Sequence, residues 1–116
     1  MHELSIVQSI VETAVDAATQ ASASRVSKVY LRLGVLSGAV KESLQFCYSI
    51  GTLDTILEGS SLEIEELPVK IYCAKCREVR ELPDIQRFRC PVCNTPSGDV
   101  RQGKELEIGS LEVDLP

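Results

Sequence analysis

Residues 70–104 read KIYCAKCREVRELPDIQRFRCPVCNTPSGDVRQGK, and within them Cys73-Ala74-Lys75-Cys76 and Cys90-Pro91-Val92-Cys93 form two C-x2-C pairs separated by thirteen residues. That spacing lets two tight knuckles present four thiolates at tetrahedral angles. A closed shell of four soft sulfurs suits Zn(II) held structurally, with no position left open for a substrate. Pro83, Pro91 and Pro96 interrupt the stretch, no helix or long strand is readable in it, and metal binding would fold a segment too short to bury a core of its own. Two disulfides would need an oxidising compartment, and a redox pair one C-x2-C beside a βαβ unit; an iron–sulfur cluster is a further use of four cysteines. Asn94 follows the last cysteine where a left-handed residue turns a knuckle, and Tyr72 and Phe88 supply the small apolar packing.

Outside this insert the pattern is regular. Leu4, Val7, Val11, Ala14 and Ala18 recur at three- and four-residue steps, an amphipathic helix ending in the stretch Ser22–Ser24. Val29, Leu31, Leu33 and Val35 then alternate with Lys28, Tyr30, Arg32 and Gly34, as in a strand with one buried face. After a turn at Gly34, Ser37 and Gly38, a second helix is expected over Lys41–Leu57, with Leu44, Cys47, Ile50, Leu53 and Leu57 inward and Gly59 as its stop. Cys47 on that stripe reads as a core thiol. Leu62 and Ile64 mark a second strand ending near Pro68. Leu106 and Ile108 begin a third, and Leu111, Val113 and Leu115 continue it in opposite parity, which a bulge at Gly109-Ser110 would reconcile. The expected fold is α+β: a three-stranded sheet covered by two helices from residues 1–69 and 105–116, with a zinc-ribbon-like four-cysteine module at 70–104.

The 116 residues hold twelve Lys and Arg against seventeen Asp and Glu, one His, five Cys and no Trp. Length excludes a multidomain enzyme, and 44% apolar with 25% charged residues is globular usage. No apolar run approaches a signal core or a membrane span, so a cytoplasmic protein is expected. The formal net charge of −5 is uneven. Residues 70–104 carry eight basic against four acidic residues, +4, and the rest four against thirteen, −9. The basic excess either solvates a sulfur-rich site or forms a docking patch for an acidic protein surface. Nucleic acid is not expected, because the excess is small, aromatic platforms are few and the remaining surface repels phosphate.

The sole histidine, His2, sits beside the first residue. If the Met1 amine is free, that amine, the deprotonated backbone nitrogen of His2 and its imidazole can close adjacent chelate rings around one ion. This nitrogen-rich planar set is favoured by Ni(II) and Cu(II), and Glu3 adds a further backbone nitrogen or a carboxylate. A solvated terminal histidine, with Glu3 complementing a helix dipole, is the other reading of the same residues.

The opening MHELSIVQSIVE, the segment LRLGVLSGAVKESLQFCY, the strand EGSSLEIEELP and the two C-x2-C pairs occur in this order, followed by ELEIGSLEVD. Together they resemble the HypA/HybF family of hydrogenase maturation proteins over essentially the whole chain. The resemblance implies a non-enzymatic nickel metallochaperone that helps deliver Ni(II) to the large subunit of [NiFe]-hydrogenase together with the GTPase HypB. It also implies nickel ligands at Met1, His2 and Glu3, structural zinc on Cys73, Cys76, Cys90 and Cys93, and a monomer or homodimer. Many members carry Glu where this chain has Val35, so no role of that carboxylate carries over, and Gly where it has Asn94. The alternative is a zinc-ribbon adaptor that binds protein or nucleic acid without transferring nickel. A zinc-dependent enzyme would need an open coordination position or a nearby base, yet all four paired cysteines are committed and His2 is the single histidine.

Overall fold

The structure, a computed structural model, describes residues 3–116. It contains α1 (Glu3–Gln20), β1 (Arg25–Gly34), α2 (Lys41–Gly51), β2 (Ser61–Leu67), β3 (Lys70–Cys73), β4 (Glu78–Glu81), β5 (Val100–Gln102) and β6 (Leu106–Asp114). Strands β2-β1-β6 form one three-stranded sheet and β4-β3-β5 a second. The α+β architecture with two helices is therefore as expected, but the insert has a sheet of its own. Its strands are three or four residues long, too short for alternation to announce them. No described helix is long and apolar enough to cross a membrane.

The chain divides into two compact units. The first holds residues up to Arg32, Gly38–Glu65 and Glu107–Pro116. There α1 and α2 pack together, and α1 buries Val7, Ile10, Val11, Ala14 and Ala18, the stripe its three- and four-residue spacing dictates. Leu4, in the first turn, stays exposed. The second helix stops at Gly51, short of the expected Leu57: Thr52 still reaches the Tyr48 carbonyl with its N–H (3.1 Å) and its hydroxyl (2.9 Å), but the Leu53 N–H bonds the Ile50 carbonyl (3.3 Å), three residues back, and the α-helical pattern is lost. Asp54 then adopts a left-handed φ of 63°, which ends any helix. The inward face consequently runs through Leu44 and Tyr48. Ile50 and Leu53 are exposed, Cys47 is only half-buried, and Leu57 reaches the core from the turns beyond the helix. In β6 the half-buried positions are Leu106 and Ile108, then Leu111 and Val113, so parity switches at Gly109-Ser110.

The second unit comprises Leu33–Ser37 and Glu66–Leu106. Its buried cluster is small: Val69, Ile71 and Leu82, with Leu36, Phe88 and Val100 packed against them. The turn after β1 is tied in by backbone bonds from Gly34 N–H to Glu105 O (2.7 Å) and from Leu36 N–H to Gly103 O (2.7 Å). At Gly34 the two backbone segments come so close that a Cβ would lie 2.1 Å from the Gly103 oxygen, a clash that no rotamer relieves.

Gly34→Ala is expected to destabilise the protein by about 3 kcal/mol or to prevent folding, since backbone must move to admit the methyl group. Gly98→Ala, where a Cβ meets nothing within 4 Å, serves as the control and should stay within about 0.5 kcal/mol of the parent. Urea unfolding of the two variants reads the difference.

Candidate metal centre

The first knuckle grows out of β3. Cys73 ends the strand, Arg77 N–H donates to the Cys73 carbonyl (2.7 Å), and Arg77 takes φ 58° so that the chain folds back with Cys76 against Cys73. The second knuckle repeats the geometry: Asn94 N–H donates to the Cys90 carbonyl (2.8 Å) with φ 62° at Asn94. The left-handed residue expected at Asn94 is present, and Arg77 is its counterpart. Ahead of the second knuckle, Cys90 N–H bonds Thr95 O (2.9 Å), Arg89 bridges to Pro96, and Arg89 Nη1 donates to Asn94 O (3.2 Å). On the opposite face of β3, Tyr72 stacks under Arg101, whose guanidinium carbon is 4.7 Å from the ring centroid and whose fork grips Asp99 at 2.8 and 2.9 Å. Phe88 packs on the apolar cluster as expected, whereas Tyr72 serves this cation stack instead.

These knuckles bring Cys73, Cys76, Cys90 and Cys93 together, with all four sulfurs within 4.8 Å of one another. Cys73 and Cys93 sulfurs are 3.5 Å apart, and those of Cys76 and Cys90 3.9 Å. Tetrahedral coordination at metal–sulfur distances of about 2.3 Å needs sulfurs about 3.8 Å apart, so the cage fits one soft divalent ion. All five cysteines are free, and the pairs lie well beyond the roughly 2.05 Å of a disulfide. Two of the four clustered thiols are buried and two half-buried, and Cys76 N–H points at Cys73 Sγ (3.4 Å).

Electrostatics around the sulfurs is uneven. The Thr95 hydroxyl, 3.1 Å from Cys93 Sγ, and the Thr95 backbone hold the Cys93 thiol down at about 6. The backbone N–H groups of Cys93 and Val92 likewise lower Cys90. Arg80 draws Cys76 down, but the neighbouring sulfurs and desolvation outweigh it and push that thiol up to about 11. Crowding of four thiols thus resists their joint ionisation until a cation enters, and metal binding must expel the last protons.

Among the described residues, this is the one group of three or more His, Cys, Asp or Glu side chains placed to hold a metal ion. Of the expected amino-terminal set, Met1 and His2 lie outside the described residues, and Glu3 opens α1, half-buried. Local sequence patterns give no sign of the parts played by Thr95, Arg77 and Arg80. Arg80 becomes visible only through the β3–β4 register, which sets it opposite Ile71.

Asn94→Val forces a β-branched residue into φ 62° and should cost about 1–3 kcal/mol, felt as weaker metal retention because knuckle geometry and binding are coupled. Asn94→Gly, free of that strain, should hold metal at least as well as the parent. Chelator competition monitored by a chromophoric ligand separates the two.

A family model described as "Hydrogenase/urease nickel incorporation, metallochaperone, hypA" matches residues 1–113. The hydrogenase maturation factor HypA of Roseiflexus sp. (strain RS-1) is 46% identical over 114 residues, covering 98% of this chain and 93% of the relative. That of Chloroflexus aurantiacus (strain ATCC 29366 / DSM 635 / J-10-fl) is 45% identical over 113 residues, covering 97% and 99%. In fold the chain is similar to the solution structure of the Ni metallochaperone HypA from Helicobacter pylori, with a TM-score of 0.73, 22% identity and complete coverage of both chains. Two helices, two three-stranded sheets, a four-cysteine metal site and the match over nearly every residue converge: the chain belongs to the HypA family of nickel-incorporation metallochaperones, which are maturation factors for hydrogenase and not enzymes.

Proposed function

We propose that this protein captures Ni(II) at its amino terminus and hands it to the large subunit of a [NiFe]-hydrogenase, working in the cytoplasm with the GTPase HypB as a monomer or homodimer. The observation that carries the reading is the position of the chain's single histidine, directly after Met1, in a chain matched by a nickel-incorporation family model over residues 1–113. The Met1 amine, the His2 backbone nitrogen and the His2 imidazole form the nitrogen donor set, with Glu3 contributing a carboxylate or a further backbone nitrogen. A divalent ion near the start of α1 opposes the helix dipole, so an ionised amide or the Glu3 carboxylate must offset its charge. Few, acid-labile ligands suit an ion that has to be passed on.

Cys73, Cys76, Cys90 and Cys93 hold Zn(II) in this reading, because a soft, saturated tetrahedral set retains its ion and leaves no place for exchangeable cargo. Residues 1–69 and 105–116 make the nickel-binding domain and 70–104 the zinc-binding module. The +4 of the module against −9 elsewhere supports separate docking faces for different partners. Cu(II) would exceed Ni(II) in intrinsic affinity for the nitrogen set, so selectivity rests on metal supply and on those partners.

Nickel titration of protein with a native, untagged amino terminus should reach stoichiometric binding, and both His2→Ala and an N-terminally acetylated form should lose it. Equal stoichiometric uptake by all three would end the amino-terminal assignment. Charge reversal of Arg87 and Arg89 should slow association with one partner on the order of tenfold at low salt. Unchanged affinity for both HypB and the hydrogenase subunit would remove the docking-face proposal.

A further inference from the structure

Arg80 lies on β4, paired across the ladder with Ile71 of β3, while Cys73 pairs with Glu78. Directly opposed residues project to the same face, so Arg80 shares the side of the sheet that carries the buried Ile71 and Cys73. The Cys76 thiol above all, with smaller contributions from Glu78 and Cys90, favours the charged form of its guanidinium. Nη1 is anchored by the Glu78 carboxylate at 2.9 Å. Nε, by contrast, is buried from solvent and has no hydrogen-bond partner. A buried cationic N–H without an acceptor is costly, and the surrounding chemistry offers thiol sulfurs, which become strong acceptors once they are ionised around a metal.

We propose that Arg80 is the counter-ion of the four-cysteine centre, its guanidinium donating N–H···S bonds to the metal-bound thiolates of Cys76 and Cys90 while Glu78 fixes its orientation. A divalent ion with four thiolates carries a formal −2, and one guanidinium against it leaves −1. Hydrogen bonds to thiolate lone pairs tune a metal site much as partners of ligating imidazoles do, by holding ligands in place and withdrawing charge from them. The same contact gives the orphaned Nε an acceptor. Arg is suited to this position because its planar fork can address Glu78 and two sulfurs at once, which the single ammonium of Lys cannot. Arg80 is thus a positioning residue, acting on the metal through the cysteines. The proposal rests on the four-thiolate metal reading and extends it.

The test uses the full chain as wild type, Arg80→Gln and Arg80→Lys, each checked for native far-UV circular dichroism. Zinc(II) affinity is read by competition with a chromophoric chelator, and the thiolate-to-metal charge-transfer band after Co(II) substitution. Arg80→Gln should bind zinc about 10- to 100-fold more weakly. Its cobalt band should move to lower energy, because thiolates relieved of hydrogen bonds are better electron donors. Arg80→Lys, keeping the charge without the fork, should fall between the two. A glutamine variant with unchanged affinity overturns the proposal, and so does one with weakened affinity but an unshifted cobalt band, the signature of a purely structural strand residue. Wild-type protein that takes up neither ion overturns the four-thiolate reading itself, an outcome separable from failure of the Arg80 assignment alone.

Discussion

Four sulfurs gathered within 4.8 Å of one another are the constraint on which the second unit depends. Residues 66–106 bury only Val69, Ile71 and Leu82 as a connected apolar cluster, and their three strands are each no longer than four residues. Such a segment has too little apolar surface to offset the entropy of ordering its chain. Several features of the unit let the knuckles close. Left-handed Arg77 and Asn94 turn the chain back, β3 anchors one knuckle, and the Thr95 and Pro96 contacts brace the other. Without a cation the thiols oppose one another, as the elevated Cys76 shows; with one, the same crowding becomes the coordination shell.

What can be read in the sequence follows from range. The stripe of α1 and the alternation in β1 are local periodicities over eighteen and ten residues, and both elements are present with most of the expected residues inside. The C-x2-C pairs are legible for a different reason: coordination chemistry fixes the spacing within each knuckle whatever the surrounding fold. The second helix is shorter than its pattern implies because its apolar residues keep helical spacing beyond the point where the chain turns at Leu53 and Asp54, and periodicity alone cannot see the left-handed φ of Asp54. Its true inward face pairs Leu44 with Tyr48, a residue whose hydroxyl bonds Ser60 and which polarity-based reading leaves outside. The close approach of Gly34 to Gly103 depends on pairing between distant segments, and the placement of Arg80 on the β3–β4 register across the first knuckle, neither of which residue periodicity encodes.

The two ends of the functional reading place opposite demands on ligand chemistry. A structural ion should be held by soft, mutually crowded, buried donors whose departure would unfold the segment around them. The four cysteines supply this, with Cys73 and Cys90 almost wholly removed from solvent. A transferred ion should meet donors that can be replaced one at a time by those of a receiving protein, and a terminal amine with a neighbouring imidazole is such a set. Under that proposal, separating the two by donor softness keeps the cargo from settling in the cage: a four-sulfur set filled by zinc would have no vacancy for nickel, and nitrogen donors would compete poorly for zinc bound by four thiolates. On the proposed reading, then, the family's nickel chemistry and this chain's cysteine cage are compatible because neither site can take over the ion of the other without first losing its own geometry.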